Sequence, residues 1–477
     1  MRTRASAAAI LSVALSSLAL AAPAAHATAA AAPYDFNGDG RADLAIGAPG
    51  ATVGGKAKAG AVSVVYGSAS GPKSSTYRLI TQNAAGMPGT AEADDAFGTA
   101  VASADLNTDG YADLIVGAPG EDTDDDTNNG TVAVVWGSAS GLSGARTLPD
   151  FSSRDHDHFG QSLAAADLDG DGDQDVAVGS TDLISLNFVD GPITKSAALS
   201  YGSGSGFSWA SSYGITSLSA GDVTGTGIDR LVVHGRVSGT DDAVTALVDG
   251  TIGNYTDWLQ ELPGGYVSAV GDIDGDGHAD IVVGNDRETS ADPSGTKGGK
   301  VTVVYGGPDG VDTRRAPSVV TQDTPGVPGT AESGDRFGSG VSLADVNGDG
   351  YADLAVGAAH ESIGSAAATG SVTVLYGSAA GLRTTGAVSF SQSTAGVPGT
   401  AETGDHFGAR VALTDHTGDH RADLTVSAPG ENAGDGAVWS LRGTANGPTA
   451  TGSTSFGPST TGVSTTGAPA YGTALNS

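Results

Sequence analysis

The chain of 477 residues has no cysteine. That excludes a disulfide framework and thiol chemistry, and it leaves no lipid-anchor cysteine behind an export signal. Basic residues are scarce: 22 Lys and Arg face 54 Asp and Glu, for a net charge of −32. Such a surface repels nucleic acid and anionic lipid, so neither is an expected partner. Beyond Ala22 no apolar run approaches the 18 or so residues that cross a bilayer, so no transmembrane segment is expected. Aromatic residues make up only 5% and no amphipathic helix can be traced, whereas glycine is plentiful at 75 residues. These proportions fit short strands joined by tight turns. There is no complete Gly-x-Ser-x-Gly elbow and no His-Glu-x-x-His zinc motif.

The first 27 residues read as an export signal. Arg2 and Arg4 precede an apolar run from Ala7 to Ala22, and Ala25-His26-Ala27 offers a cleavage site before Thr28. The expected product is one domain, residues 28–477, secreted and extracellular. Losing Arg2 and Arg4 takes its net charge from −32 to −34.

What the chain does have is a repeated nonapeptide, Asp-x-Asn/Asp-x-Asp-Gly-x-x-Asp. It begins at Asp35, Asp105, Asp167, Asp222, Asp272, Asp345 and Asp415. Units of this size, each holding about four short strands, are the mark of a β-propeller or solenoid array. Oxygen-bearing side chains at positions 1, 3, 5 and 9 converge when the backbone wraps around one point. The carbonyl of position 7 completes the ring, and glycine at position 6 supplies a left-handed turn. Hard oxygen donors in a flexible loop select calcium. An EF-hand would need Glu at position 12, which is instead Ile46, Val116, Val178, Val233, Val283, Val356 and Val426. Ordinary turn formation by Asp, Asn and Gly is the bland alternative, and fixed spacing in repeated copies argues against it.

Five copies are complete. With the position-7 carbonyl included, the expected ligand sets are Asp35, Asn37, Asp39, Arg41 and Asp43; Asp105, Asn107, Asp109, Tyr111 and Asp113; Asp167, Asp169, Asp171, Asp173 and Asp175; Asp272, Asp274, Asp276, His278 and Asp280; and Asp345, Asn347, Asp349, Tyr351 and Asp353. The fourth copy has Thr224, Thr226 and Arg230 at positions 3, 5 and 9, and is expected to bind nothing. The seventh keeps Asp415, Asp419, Arg421 and Asp423 but has Thr417 at position 3 and His420 in place of glycine, so it should be weak. The cofactor expected is therefore Ca2+, at about five strong sites and a sixth weak one.

Phe-Gly lies eight residues before the loop at Phe97-Gly98, Phe159-Gly160, Phe337-Gly338 and Phe407-Gly408, and Gly-Ala-Pro or a variant follows at Gly47, Gly117, Gly357 and Ser427. This arrangement resembles the FG-GAP repeat of integrin α-subunit propellers across nearly all of residues 28–477, most weakly from Leu183 to Gly265. The resemblance implies an all-β, seven-bladed β-propeller with its calcium loops on one face. No Phe-Gly strand precedes Asp35, while Tyr471-Gly472-Thr473-Ala474-Leu475 matches Phe97-Gly98-Thr99-Ala100-Val101. The C-terminal strand is thus expected to complete the first blade and close the ring.

Other features carry weaker signals. The repeated Pro-Gly-Thr-Ala-Glu at Pro88, Pro328 and Pro398 reads as structural, and the acidic run Glu121–Asp126 as a solvated face. His156 and His158 alternate with Asp155 and Asp157 and could share a strand face, though a surface turn is favoured. His406, His416 and His420 cluster along the sequence near the seventh loop. The function expected is that of an extracellular binding or adhesion module contacting a protein or cell surface. The alternatives are a glycan-binding, lectin-like propeller, in which Trp209, Trp258 and Trp439 would be exposed, and, less favoured, an extracellular hydrolase or lyase.

Overall fold

Segments such as Leu44–Ala48, Asp113–Ala118 and Asp353–Ala358 are buried at every position. Small and branched apolar residues suit such strands, because both faces of each sheet are covered by a neighbouring sheet. The computed structural model describes residues 30–123, 127–150, 156–181, 185–204, 213–237, 239–240, 242–249 and 258–476. The expected export signal, Asp124–Asp126, Asp155 and Trp209 lie outside the described residues, and of Trp258 only the backbone is described.

The strands form seven four-stranded antiparallel sheets, the blades of a β-propeller. The innermost strands, in order around the ring, are Ala474–Leu475, Val101–Ala104, Ser162–Ala166, Ser217–Gly221, Val267–Gly271, Phe337–Ala344 and Val411–Thr414. They line a central channel of about 340 Å³. Helix is confined, among the described residues, to Glu431–Gly434 and a 3-10 turn at Pro458–Thr460, and no helix is long and apolar enough to cross a membrane.

The first blade closes as expected. Its inner strand Ala474–Leu475 pairs with Gly47 and Ile46, so one sheet holds residues from both ends of the chain. Gly472 N donates to Gly47 O at 2.9 Å. Asn476 Nδ2 donates to Asp43 O, and Asn476 Oδ1 accepts from Ala45 N, both at 2.8 Å.

The apolar core lies between blades, as in the cluster joining Val62, Val64 and Ile80 of the first blade to Val101, Leu114 and Val116 of the second. The two glycine motifs meet at these seams. Phe97, Phe159, Phe337, Phe407 and the substituted Tyr471 are fully buried. Gly160 of the Phe-Gly pair lies against Gly117 of the preceding blade so closely that a Cβ on Gly117 would sit 1.9 Å from Gly160 O. Glycine is needed there because the two backbones touch.

Candidate metal loops on one face of the ring

Six nonapeptides join an innermost strand to the second strand of their blade, as Asp105–Asp113 joins Val101–Ala104 to Asp113–Ala118, while the first, Asp35–Asp43, leads into Leu44–Ala48, whose inner partner comes from the C-terminus. The position-1 carboxylate folds the loop. Asp35 accepts from Asp39 N at 3.0 Å and Gly40 N at 2.9 Å, and Asp105 accepts from Asp109 N and Gly110 N at 3.1 and 2.9 Å. Position 6 is left-handed, with φ +79° at Gly40 and +93° at Gly172. The amide of position 7 turns back onto position 5: Arg41, Tyr111, Asp173, His278, Tyr351 and Arg421 donate to Asp39, Asp109, Asp171, Asp276, Asp349 and Asp419.

Neighbouring loops are joined backbone to backbone. Asp35 O accepts from Ala112 N at 3.1 Å, Asp272 O from Ala352 N at 2.9 Å, and Asp345 O from Ala422 N at 2.8 Å. Across the closing seam, Asp415 O accepts from Ala42 N at 3.0 Å. The loops therefore share one face.

Position 9 has a structural duty that the spacing alone does not reveal. Asp43 accepts from Phe36 N at 3.2 Å and Gly67 N at 2.8 Å, bridging its loop to the turn after the third strand. Asp113, Asp175, Asp280, Asp353 and Asp423 make the equivalent pair of bonds. All six are buried. Burial pushes the Asp43 carboxyl up to about 8 and Asp113, Asp175, Asp280, Asp353 and Asp423 to about 7, against the amide bonds that favour the anion.

Carboxylate oxygens of Asp167, Asp169 and Asp175, and those of Asp272, Asp274 and Asp276, lie within 4.8 Å of one another. A third such group, Asp169, Asp171 and Asp190, contains a residue that the nonapeptide does not include. Asp190 ends the strand Leu186–Asp190, before Gly191. Other blades have Tyr66, Trp136, Tyr305 and Tyr376 at that place, so an acid there was the available signal. In the seventh blade the same place is Arg442, whose Nη2 donates to Asp419 at 2.8 Å. Arg315 similarly pairs with Asp274, and its guanidinium lies over the Tyr305 ring. In the second loop Asn107 Nδ2 donates to Asp113 at 3.1 Å, and a flip of the amide would present its oxygen instead.

The eroded loops differ in instructive ways. Asp222 still accepts from Thr226 N and Gly227 N at 3.0 and 2.7 Å, so the fourth loop has the common fold. Thr224 and Thr226 are hydrogen-bonded to each other at 2.8 Å, where the complete loops place carboxylates. In the seventh loop His420 takes φ +62°, which costs a non-glycine residue about 1 kcal/mol.

The histidine groupings read from sequence separate. His406 lies before the strand Val411–Thr414 and stacks on His360 at 4.5 Å, whereas His416 follows that strand. His416 is buried, with Nδ1 2.8 Å from Ala42 O and Nε2 3.2 Å from Thr425 Oγ1. His156 is buried against Phe159 and Asp150, while His158 takes φ +59°, so the two do not share a strand face. Trp439 is buried, its indole N donating to Pro398 O at 2.8 Å, and offers no sugar platform. Glu92 N donates to Asp95 at 2.6 Å and Glu121 pairs with Gln82, so the Pro-Gly-Thr-Ala-Glu segment and the start of the acidic run are structural.

The FG-GAP repeat family matches residues 27–65, 97–135, 159–183, 264–304, 337–375 and 407–441. With six matched repeats in a seven-bladed ring, the chain is an FG-GAP repeat protein with an integrin-like propeller. Among curated proteins it is similar to phosphatidylinositol-glycan-specific phospholipase D of Rattus norvegicus, 37% identical over 150 residues, covering 31% of this chain and 18% of the relative. The Mus musculus protein of that name is 36% identical over 147 residues, and the Homo sapiens protein 35% over 149; each match covers 31% of this chain and 17% of the relative. The similarity thus spans less than a fifth of those proteins' length.

Proposed function

We propose that this chain is a secreted, calcium-binding propeller that acts as an extracellular binding or adhesion module for a protein or cell surface. The observation that supports it most is the joined set of loops on one face, with carboxylate oxygens drawn within 4.8 Å in the third and fifth. The five complete sets beginning at Asp35, Asp105, Asp167, Asp272 and Asp345 would each hold one ion, Asp415 and its partners a weak sixth, and the Asp222 loop none. An ion there supplies countercharge: five return +10 to a mature net charge of −34, and they brace the seams between blades. Selective retention on an array of cell-surface proteins, lost with chelator, is the expected outcome. Retention of nothing from the protein array would refute the adhesion reading.

A glycan ligand is the second reading. It is favoured by the name of the relatives, phosphatidylinositol-glycan-specific phospholipase D, and opposed by the burial of Trp439. A glycan array decides between the two.

A further inference from the structure

The face opposite the loops carries an arc of arginines in a chain poor in basic residues. Loops lead into the second strands, so residues that precede an inner strand, or follow a second strand, lie at the other mouth of the channel. Four arginines gather there from four successive blades. Arg236 ends the second strand of the fourth blade and Arg287 follows that of the fifth. Arg336 and Arg410 precede the inner strands of the sixth and seventh.

They form a connected arc. The guanidinium of Arg236 lies over the rings of Tyr213 and Tyr266, at 4.7 and 5.3 Å, and that of Arg287 over Tyr266 at 5.1 Å. Asp286 joins Arg287 at 3.2 Å to Arg336 at 3.8 Å, and Arg410 Nη1 reaches Ser339 O in the blade of Arg336 at 3.5 Å. Tyr266 donates to Asp292 at 3.1 Å. Asp286 and Asp292 are the carboxylates these contacts engage, while Asp335, Asp405 and Glu288 lie on the same face and are held by backbone amides.

Two of the arginines have spare capacity. Arg410 and Arg236 make no ion pair among the described residues. Arg410 lines the channel and spends Nη1 only on the carbonyls of Ala409 at 3.0 Å and Ser339 at 3.5 Å. Arg236 Nε is a buried donor with no partner among the described residues. Of the arc, Arg410 and Tyr266 line the channel, and guanidinium forks with free donors are suited to oxyanions. The channel, at about 340 Å³, is at the small end of ligand sites, which span about 300–1,000 Å³.

We infer that this mouth is a binding site for a small ligand carrying a phosphate or carboxylate group, held by Arg236, Arg336 and Arg410, with Arg287 and Asp286 fixing the arc. The oxyanion sits over the channel and the rest of the ligand enters it. This site depends on the ring and not on the opposite loops, so a failed calcium count leaves it standing.

The test is calorimetric titration of the full calcium-loaded chain, freed of excess calcium, with glucose 6-phosphate, glucuronate and inorganic phosphate, and with glucose as the neutral control. Saturable binding of at least one anion, weakened by added salt and not shared by glucose, is expected. Inorganic phosphate binding as tightly as glucose 6-phosphate would support the site with a free anion as its ligand; glucuronate alone would assign a carboxylate. Arg336→Gln/Arg410→Gln should lose at least tenfold in affinity with an unchanged calcium count and melting temperature. Should that variant misfold, Arg236→Gln takes its place with the same expectation. An anion held by calcium on the other face would bind these variants as well as the parent, and that result overturns the inference. So does the absence of binding by all three anions, or equal binding of glucose.

Discussion

Truncation before Tyr471 removes the strand that closes the ring. Tyr471 is 0% and Leu475 4% exposed. Deleting a large buried aromatic costs about 3–5 kcal/mol, and a buried leucine about 2–5 kcal/mol. The two bonds of Asn476, to Asp43 O and Ala45 N, add about 1 kcal/mol each. The sum rivals the whole stability of a typical domain, about 5–15 kcal/mol. It also leaves Leu44–Ala48 as an uncovered edge, open to pairing with other chains. Unfolding entropy of about 2.1 cal/mol/K per residue makes 1 kcal/mol worth roughly 1 °C in a ring of this length that melts as one unit. Tyr471→Ala should therefore lower the melting temperature by about 3–5 °C, and truncation by about 10 °C or to the point of aggregation. Scanning calorimetry at fixed calcium reads both, with the exposed Thr465→Ala as a control expected to shift by less than about 1 °C. A truncated chain that melts within about a degree of the parent would show that the C-terminal strand does not close the ring.

Three further outcomes follow from the same geometry. Gly117→Ala forces a Cβ to within 1.9 Å of Gly160 O, so it should destabilise by about 2 kcal/mol or more in denaturant titration, unlike Gly457→Ala, where the backbone is extended and the space open. His234 is fully buried against Gly265 O and Ser268, which pushes it down to about 4. Its folded value lies below the unfolded one of about 6.5, so its contribution is complete above pH 6.5 and is lost as pH falls toward 4, by up to about 3 kcal/mol. In His234→Gln the pH dependence of stability over that window should flatten by this amount, and an unaltered dependence would refute it. Asp190→Asn should weaken one calcium site several-fold, whereas Arg442→Gln, which removes the nearer of the two guanidinium partners of Asp419, should strengthen the weak one; isothermal titration of each against the parent checks both.

How much of this could be read from residue order depended on how local the relation was. The nonapeptide, the Phe-Gly and Gly-Ala-Pro glycines and the Tyr471 closure are visible because each repeats at a fixed spacing, and a seam that needs glycine rejects every alternative. Asp190 was not visible as a loop residue because the third strand, not the loop, carries it back to Asp169 and Asp171. The His406 and His416 grouping failed for the converse reason: neighbours in sequence were carried to opposite faces by Val411–Thr414. Position 9 looked like a ligand and nothing more, since its bonds to Gly67 N and Gly137 N span 24 residues and exist only once the third strand has docked. The arginine arc draws one residue from each of four blades, so no window of sequence contains it.

The central claim is most directly tested by counting calcium. A chain of residues 28–477, stripped with chelator and re-titrated under equilibrium dialysis, is predicted to take up five ions tightly and a sixth weakly, with Asp222→Ala leaving the count unchanged. Fewer than four ions, or a loss on Asp222→Ala, would contradict the account.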